Sequence, residues 1–196
     1  MDTNAGLRER KKMATRTALH QAAVRLAADQ GLDRVTVEAI CDAADVSRRT
    51  FSNHFTSKEE ALLYSDHERL RRFVTLVRER PAEETPWQAL TAAVEAFGAE
   101  GPLFDEEFMD KLRMVRRHIS LATHQAATYA AVERDLAVEI ATRLPDGTAT
   151  PLRARLLAAA TLTSMRVSFQ VWLDQPGASL DQLRLDAIAI VGERFD

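Results

Sequence analysis

An all-α fold is predicted for this chain, on three observations. Hydrophobic residues make up 46% of its 196 residues while Gly and Pro number only 7 and 6, and the good helix formers Ala, Leu, Arg and Glu dominate. Apolar side chains recur at three- and four-residue spacing. The breaks between these stretches carry helix caps and stops, and no convincing strand pattern interrupts them. A chain of this length buries a core without disulfide or metal staples. The reading is about nine helices in two parts, a small head over residues 1–56 and a larger helical body over residues 57–196.

The first helix is predicted over residues 7–30. Its apolar face is Ala18, Leu19, Ala22, Ala23, Leu26 and Ala27, and Gly31 stands where a C-terminal stop belongs. Two short helices follow, Val37–Ala44 and Ser47–Phe55, on either side of an Asp45-Val46 turn. Pieces so short need mutual packing. Ser57-Lys58-Glu59-Glu60 reads as a capping box opening a long helix to Glu79, which Arg80-Pro81 ends. Thr85-Pro86-Trp87-Gln88 combines an N-cap, a first-turn Pro and a capping-box Gln, and starts a fifth helix running to Ala99. Helices over Glu106–Arg117 and Leu121–Leu144 come next, the second closed by Pro145-Asp146-Gly147. Thr150-Pro151 begins a helix to Asp174, and Ser179-Leu180-Asp181-Gln182, a further capping box, opens the last, to Arg194.

A formal charge of −3 does not itself point to a nucleic-acid partner; the distribution of charge does. Residues 1–20 carry Arg8, Arg10, Lys11, Lys12 and Arg16 against Asp2 and Glu9, while residues 61–196 are net acidic. The basic arm suits phosphates and the body does not. The single Cys41 excludes an internal disulfide or a multi-thiolate zinc site, and is expected to be a core filler in a reducing compartment. No apolar targeting region follows the basic start, and no uninterrupted apolar run approaches the ~18 residues of a spanning helix. A soluble, cytoplasmic protein with no membrane partner and no cofactor is expected.

The informative stretch runs from Thr36 to Phe55. Val37, Ile40, Cys41 and Ala44 give its first helix an apolar face, and Val46, Phe51 and Phe55 anchor the second against it. Ser47 caps the second helix, so its first-turn amides and positive dipole end face outward. With both Phe residues turned inward, Arg48, Arg49, Thr50, Ser52, Asn53 and His54 remain outside. A recognition helix in the major groove presents its N-terminal residues to base edges, which makes Arg48 and Arg49 the leading candidates for guanine contacts or close phosphate pairs.

This stretch resembles the TetR family of transcriptional regulators. The likeness covers residues from about Arg10 to Leu63 and includes Gly31, Thr36-Val37, Ile40, Ala44, Val46-Ser47, Thr50-Phe51, Phe55, Ser57-Lys58-Glu59 and Leu62 in the family's order and spacing. It implies a three-helix DNA-binding head, a helical ligand-binding body and regulation without catalysis. Residue by residue, it implies phosphate contacts from Thr36, His54 and Lys58 and base or backbone contacts from Arg48, Arg49, Thr50 and Asn53. Ser47 at the helix start, and Arg8, Lys11, Lys12 and Arg16 on the basic arm, complete the candidate set. Two departures stand out: Asp45 replaces the usual turn Gly, and Ser52 and His54 replace usual aromatic residues. Asp tolerates the left-handed region better than most residues.

Helix-turn-helix proteins usually bind as two-fold dimers, because one short helix reads too few bases. The last two helices are the candidate interface, through Leu156, Ala160 and Val167 in one and Leu183, Ile188 and Val191 in the other; in the resembling family such helices form a four-helix bundle with their mates. For an effector, Trp87, Phe97, Phe108, Leu112 and Phe169 are candidate pocket residues, since large apolar side chains suit such a cavity. Arg166, lying in an apolar stretch, must be paired, solvent-facing or functional. The body also resembles the family's acyl-CoA-binding subgroup around Arg113–Arg117 and Leu156–Leu173, implying a long apolar effector with an anionic head met by Arg166, Arg116 or His118. The expected partners are thus a double-stranded DNA operator, a second copy of the chain and a small apolar or fatty acyl-CoA effector. Enzyme motifs are missing: there is no Gly-rich phosphate loop, no nucleophile elbow and no His pair at metal spacing. A helical protein-binding adaptor with a degenerate head is the alternative, separable by whether the chain binds DNA in a salt-dependent, sequence-selective way.

Overall fold

Helix boundaries in this chain follow its capping side chains. The structure, a computed structural model, describes residues 3–100, 118–145, 150–175 and 177–193, and among these it holds nine α-helices and no strand. They are α1 (Thr3–Gln30), α2 (Val37–Ala43), α3 (Arg48–Ser52), α4 (Lys58–Leu62), α5 (Tyr64–Arg78), α6 (Pro86–Ala99), α7 (Ile119–Ala141), α8 (Pro151–Asp174) and α9 (Leu180–Gly192). The predicted helix over Glu106–Arg117 and the Asp146-Gly147 turn lie outside the described residues.

The side chains of Thr36, Ser47, Ser57, Thr85, Thr150 and Ser179 each accept a backbone N–H three residues on, fixing the starts of α2, α3, α4, α6, α8 and α9. Only Thr85 and Gln88 close a full capping box. At α4 the carboxylate of Glu60 reaches one residue further back, accepting from the N–H and hydroxyl of Thr56 at 2.7 Å each. At α9, Gln182 instead donates forward to Asp186, 2.7 Å away. The single helix predicted over 58–79 is two, broken at Leu63 (φ −91, ψ 7), whose N–H bonds back to Glu59. Gly31 ends α1 with φ 81, its N–H reaching the Ala27 carbonyl at 3.0 Å. Asp45, the substitute for glycine in the α2–α3 turn, adopts φ 52 as its side-chain type allows.

The chain divides into two compact units. One takes the described residues of Met1–Glu68 and Leu103–Ala126, the other those of Arg69–Pro102 and Ala127–Asp196. In the first, Leu19, Ala22 and Ala23 of α1 meet Ile40 and Cys41 of α2, Phe51 of α3, Phe55 and Leu62, all buried. Phe55 links Phe51 (5.9 Å between centroids) to Tyr64 (5.6 Å). Leu121, from the first turn of α7, is fully buried in this same core. Cys41 is a filler there; burial, and then the Asp42 and Glu38 charges, push its thiol up and keep it protonated.

Long α1 apart, the second unit is built on longer helices than the first. Phe73 and Val77, Leu90 and Val94, Leu136 and Ile140, Leu157 and Leu162 form its core. The guanidinium of Arg143 caps the end of α5, donating to the carbonyls of Val77 and Arg80 at 2.9 Å and of Pro81 at 2.5 Å. At 24 residues and a mean hydropathy of 1.2, α8 is long and apolar enough by length and composition to cross a membrane, which no uninterrupted apolar run had suggested. Its buried hydroxyls account for the difference: Thr161, Ser164 and Ser168 interrupt the apolar run yet bond to carbonyls on their own helix four residues back, and Ser168 also to that of Leu183 on α9.

Candidate nucleic-acid interface

The head presents its polar side chains from α3 and the N-terminal half of α1. Ser47 and Thr50 form the hinge of this surface: Ser47 Oγ accepts the Thr50 N–H at 3.0 Å and shares a hydroxyl bond with Thr50 Oγ1 at 2.9 Å. These two hydroxyls orient the start of α3. Arg48, Arg49 and Asn53 are exposed beyond them. Arg48 pairs with Glu38 of α2 at 2.7 Å, with 74% and 57% of the two side chains exposed. Such a pair is weak and readily traded for a DNA contact. Ser52 turns its hydroxyl onto the Arg48 carbonyl at 3.1 Å.

The basic arm is helical from Thr3, and Arg8, Lys11 and Lys12 are exposed along it, Lys12 with Glu9 at 3.8 Å. Arg16 is held differently. Its guanidinium lies 5.2 Å from the Phe55 ring centroid and 4.8 Å from that of Tyr64, two cation–π contacts that fix it beside the end of α3. His54 is half-buried in that corner. Burial first, and then the charges of Arg16 and Lys12, hold its imidazole below the usual range.

Two residues proposed for phosphate carry hydrogen bonds within the head unit. Lys58 donates to the carbonyls of Leu32 and Val35, both at 2.9 Å, and so braces the segment leading into α2. The Thr36 hydroxyl is the N-cap of α2, at 3.1 Å from the Ala39 nitrogen. His118, proposed for an effector head group, sits in the head unit with Nδ1 3.6 Å from an Asp33 carboxylate oxygen. Sequence reasoning missed this role of α7, whose His124 bonds the Ser57 hydroxyl at 3.1 Å. No periodicity signals a contact across 67 residues.

In the body, Phe97 is buried, edge-on to Phe73 at 5.7 Å, with Arg69 and Arg184 at 5.0 and 5.5 Å from its ring centroid. Trp87 packs against the same core. Phe169 is half-buried and stacks on Trp172 at 5.7 Å. Arg166 is exposed and reaches Gln170 at 3.3 Å. Among the described residues of the body, the buried charge is Arg184, 6% exposed and paired with Asp181 at 2.8 Å. Phe108, Leu112 and Arg116 lie outside the described residues. Leu156 and Val167 are exposed along one side of α8, while Ala160 on α8 and Leu183 and Val191 on α9 are half-buried. Ile188 belongs to the core, because the inward face of α9 is Leu180, Arg184, Ile188 and Gly192 at four-residue spacing; the exposed apolar residue there is Ile190.

Comparison with known proteins decides the family. Residues 19–64 match the bacterial regulatory proteins of the tetR family, and residues 84–196 match the MftR C-terminal domain. The chain belongs to the TetR family. It is a helix-turn-helix transcriptional regulator, and members of this family are DNA-binding transcription factors, not enzymes. It is similar to the HTH-type transcriptional regulator TcmR of Streptomyces glaucescens, 32% identical over 188 residues that cover 91% of this chain and 81% of TcmR. Among solved structures it is similar to Thermus thermophilus FadR, a TetR-family repressor in complex with lauroyl-CoA (20% identity, TM-score 0.59, 91% and 93% of the two chains). It is also similar to the TetR-family repressor AlkX of Dietzia sp. strain DQ12-45-1b (18% identity, TM-score 0.52, 91% and 94%). At those identities the structural likeness establishes the fold.

Proposed function

We propose that this TetR-family regulator is a cytoplasmic, ligand-responsive repressor that binds a palindromic operator as a homodimer and is released by a small apolar or acyl-type effector. The observation that carries the reading is the outward polar face of α3, where Arg48, Arg49 and Asn53 are exposed while Phe51 and Phe55 anchor the helix from behind. Arg48 and Arg49 read bases or adjacent phosphates; Arg8, Lys11, Lys12 and Arg16 add phosphate contacts from α1. Residues 1–56 act as the DNA-binding domain and residues 57–196 as the sensing and pairing domain.

Pairing is assigned to α8 and α9, where Leu152, Leu156, Val167 and Ile190 are large apolar side chains left exposed by the single chain, between 40% and 68%. An apolar surface of that kind suits a self-complementary interface. The effector is assigned to the body, near Trp87 and Phe97, and the lauroyl-CoA held by Thermus thermophilus FadR supports an acyl ligand. Residues of α5 fall in both units, so a ligand that favours one setting of α5 alters how the heads meet DNA, provided it binds the two settings unequally.

The test is selection of duplexes from a random pool with purified protein, repeated with Arg48→Ala and Arg49→Ala. A palindrome is expected, with specificity relaxing by about 1–3 kcal/mol at the base each Arg reads. Failure to enrich any sequence at low salt would sink the repressor reading and leave a helical adaptor as the better account.

A further inference from the structure

Two polar atoms in the head stand without partners. Among the described residues, Arg16 Nε and His54 Nδ1 are the buried side-chain nitrogens with no hydrogen bond. They share a corner: Arg16 is clamped over the ring of Phe55, the residue after His54. Buried polar groups are almost always satisfied, so each exception needs an explanation.

The surrounding charges supply one. Among the described residues the charged groups acting on the imidazole are Arg16 and Lys12, both cations of α1, with no carboxylate among them. The acids closest along the chain are Glu59 and Glu60; Glu60 is committed to the N–H and hydroxyl of Thr56, and neither is among the groups acting on the ring. Arg16 is always a donor, and the imidazole becomes a donor at both nitrogens when protonated. Two neighbouring donors, with no carboxylate acting on the ring among the described residues, suit one incoming anion. Their place at the end of α3, on the surface assigned to DNA, makes that anion a backbone phosphate.

We propose that operator binding is coupled to the uptake of one proton at His54, the imidazolium and the Arg16 guanidinium jointly holding one DNA phosphate. The inference rests on the DNA-binding reading above and adds a dependence on pH to it. In the free head, burial and the neighbouring cations keep the imidazole neutral at pH 7. A bound phosphate offsets those cations and favours the charged ring, so the bound complex holds its proton to higher pH than the free protein. Linkage then fixes the sign: affinity is greatest below the free-state pKa, falls by up to about tenfold per pH unit between the free and bound values, and levels off above the bound value. Access of the phosphate to both buried nitrogens requires the long Arg16 side chain to reseat on its aromatic platform.

The experiment measures affinity for the selected duplex from about pH 5.5 to 8.5, the range in which histidine titrates, at fixed ionic strength. It compares wild type, His54→Gln and Arg16→Gln, alongside the NMR titration of the His54 ring in free and DNA-bound protein. Expected are a falling affinity in wild type, a flatter curve in His54→Gln, and a weaker, shallower curve in Arg16→Gln, where the free ring is no longer repelled. The ring signal should titrate at higher pH in the complex. Parallel curves for wild type and His54→Gln, or a ring titration unmoved by DNA, overturn the proton coupling while leaving DNA binding intact. A wild type that binds no duplex at any pH overturns the DNA reading itself.

Discussion

The two units resist damage in different ways. In the head, α2, α3 and α4 are 7, 5 and 5 residues long, too short to persist as isolated helices. Each depends on one side-chain cap and on one or two large residues driven into a small core. In the body, helices of 13 to 24 residues share a core to which five of them contribute. Their stability is spread over many contacts, so no single side chain closes the structure. The part assigned to DNA binding is therefore the part in which one residue decides whether a whole helix is in place.

The sharpest test of that contrast, and the largest expected effect, is Phe51→Ala. Phe51 is 2% exposed and is the main anchor of α3, and truncating a buried Phe costs about 3–5 kcal/mol. Both tryptophans, Trp87 and Trp172, lie in the body unit, so their fluorescence reports that unit alone. Denaturant titration followed by far-UV circular dichroism should show an early loss of helix in the variant, and the tryptophan transition should stay where it is in wild type. DNA binding should disappear at temperatures where the fluorescence remains native. Coincident shifts of both signals would mean that the chain unfolds as one cooperative body, and the contrast drawn above would fail.

A medium effect is expected at Lys58, which also marks where the sequence stops being legible. The helices, most of the caps, the Asp45 turn and the outward face of α3 are readable because they follow local rules: spacing, capping chemistry and tolerance of the left-handed region. The partners of long side chains are not local. Lys58 occupies a position that reads as a phosphate contact, yet its ammonium lies against the Leu32 and Val35 carbonyls, more than twenty residues earlier. The same holds for Arg184, whose burial depends on how α9 packs, and for His118, which joins the head through a helix counted with the body. Even Gly98 is explained only in three dimensions: a Cβ there would come within 2.8 Å of the Asp181 carboxylate. Lys58→Met takes the ammonium from both carbonyls, of which Leu32 keeps the Val35 N–H at 3.1 Å while Val35 loses its donor, and should cost the head about 1–3 kcal/mol, seen as an earlier loss of circular dichroism. If bracing is its role, the salt dependence of DNA binding by the folded variant keeps the wild-type slope. A slope reduced by about one would restore the phosphate assignment.

The smallest effect is expected from Glu38→Gln, and it asks whether the head's surface is set before DNA arrives. The Glu38–Arg48 pair at 2.7 Å is largely exposed on both sides, and exposed pairs contribute only about 0.2–1 kcal/mol. Stability should therefore move by less than about 1 kcal/mol. DNA affinity answers a different question. If the pair merely occupies Arg48 in the free protein, releasing it also removes a negative charge from beside the phosphates. Binding should then tighten by roughly two- to fivefold, which is what up to about 1 kcal/mol amounts to. If instead Glu38 aims the guanidinium at its base, the same substitution weakens binding and blurs the operator at the position Arg48 reads. Competition between the wild-type operator and a duplex altered at that position separates the two, because a freed arginine tightens on both while a misaimed one loses the distinction between them.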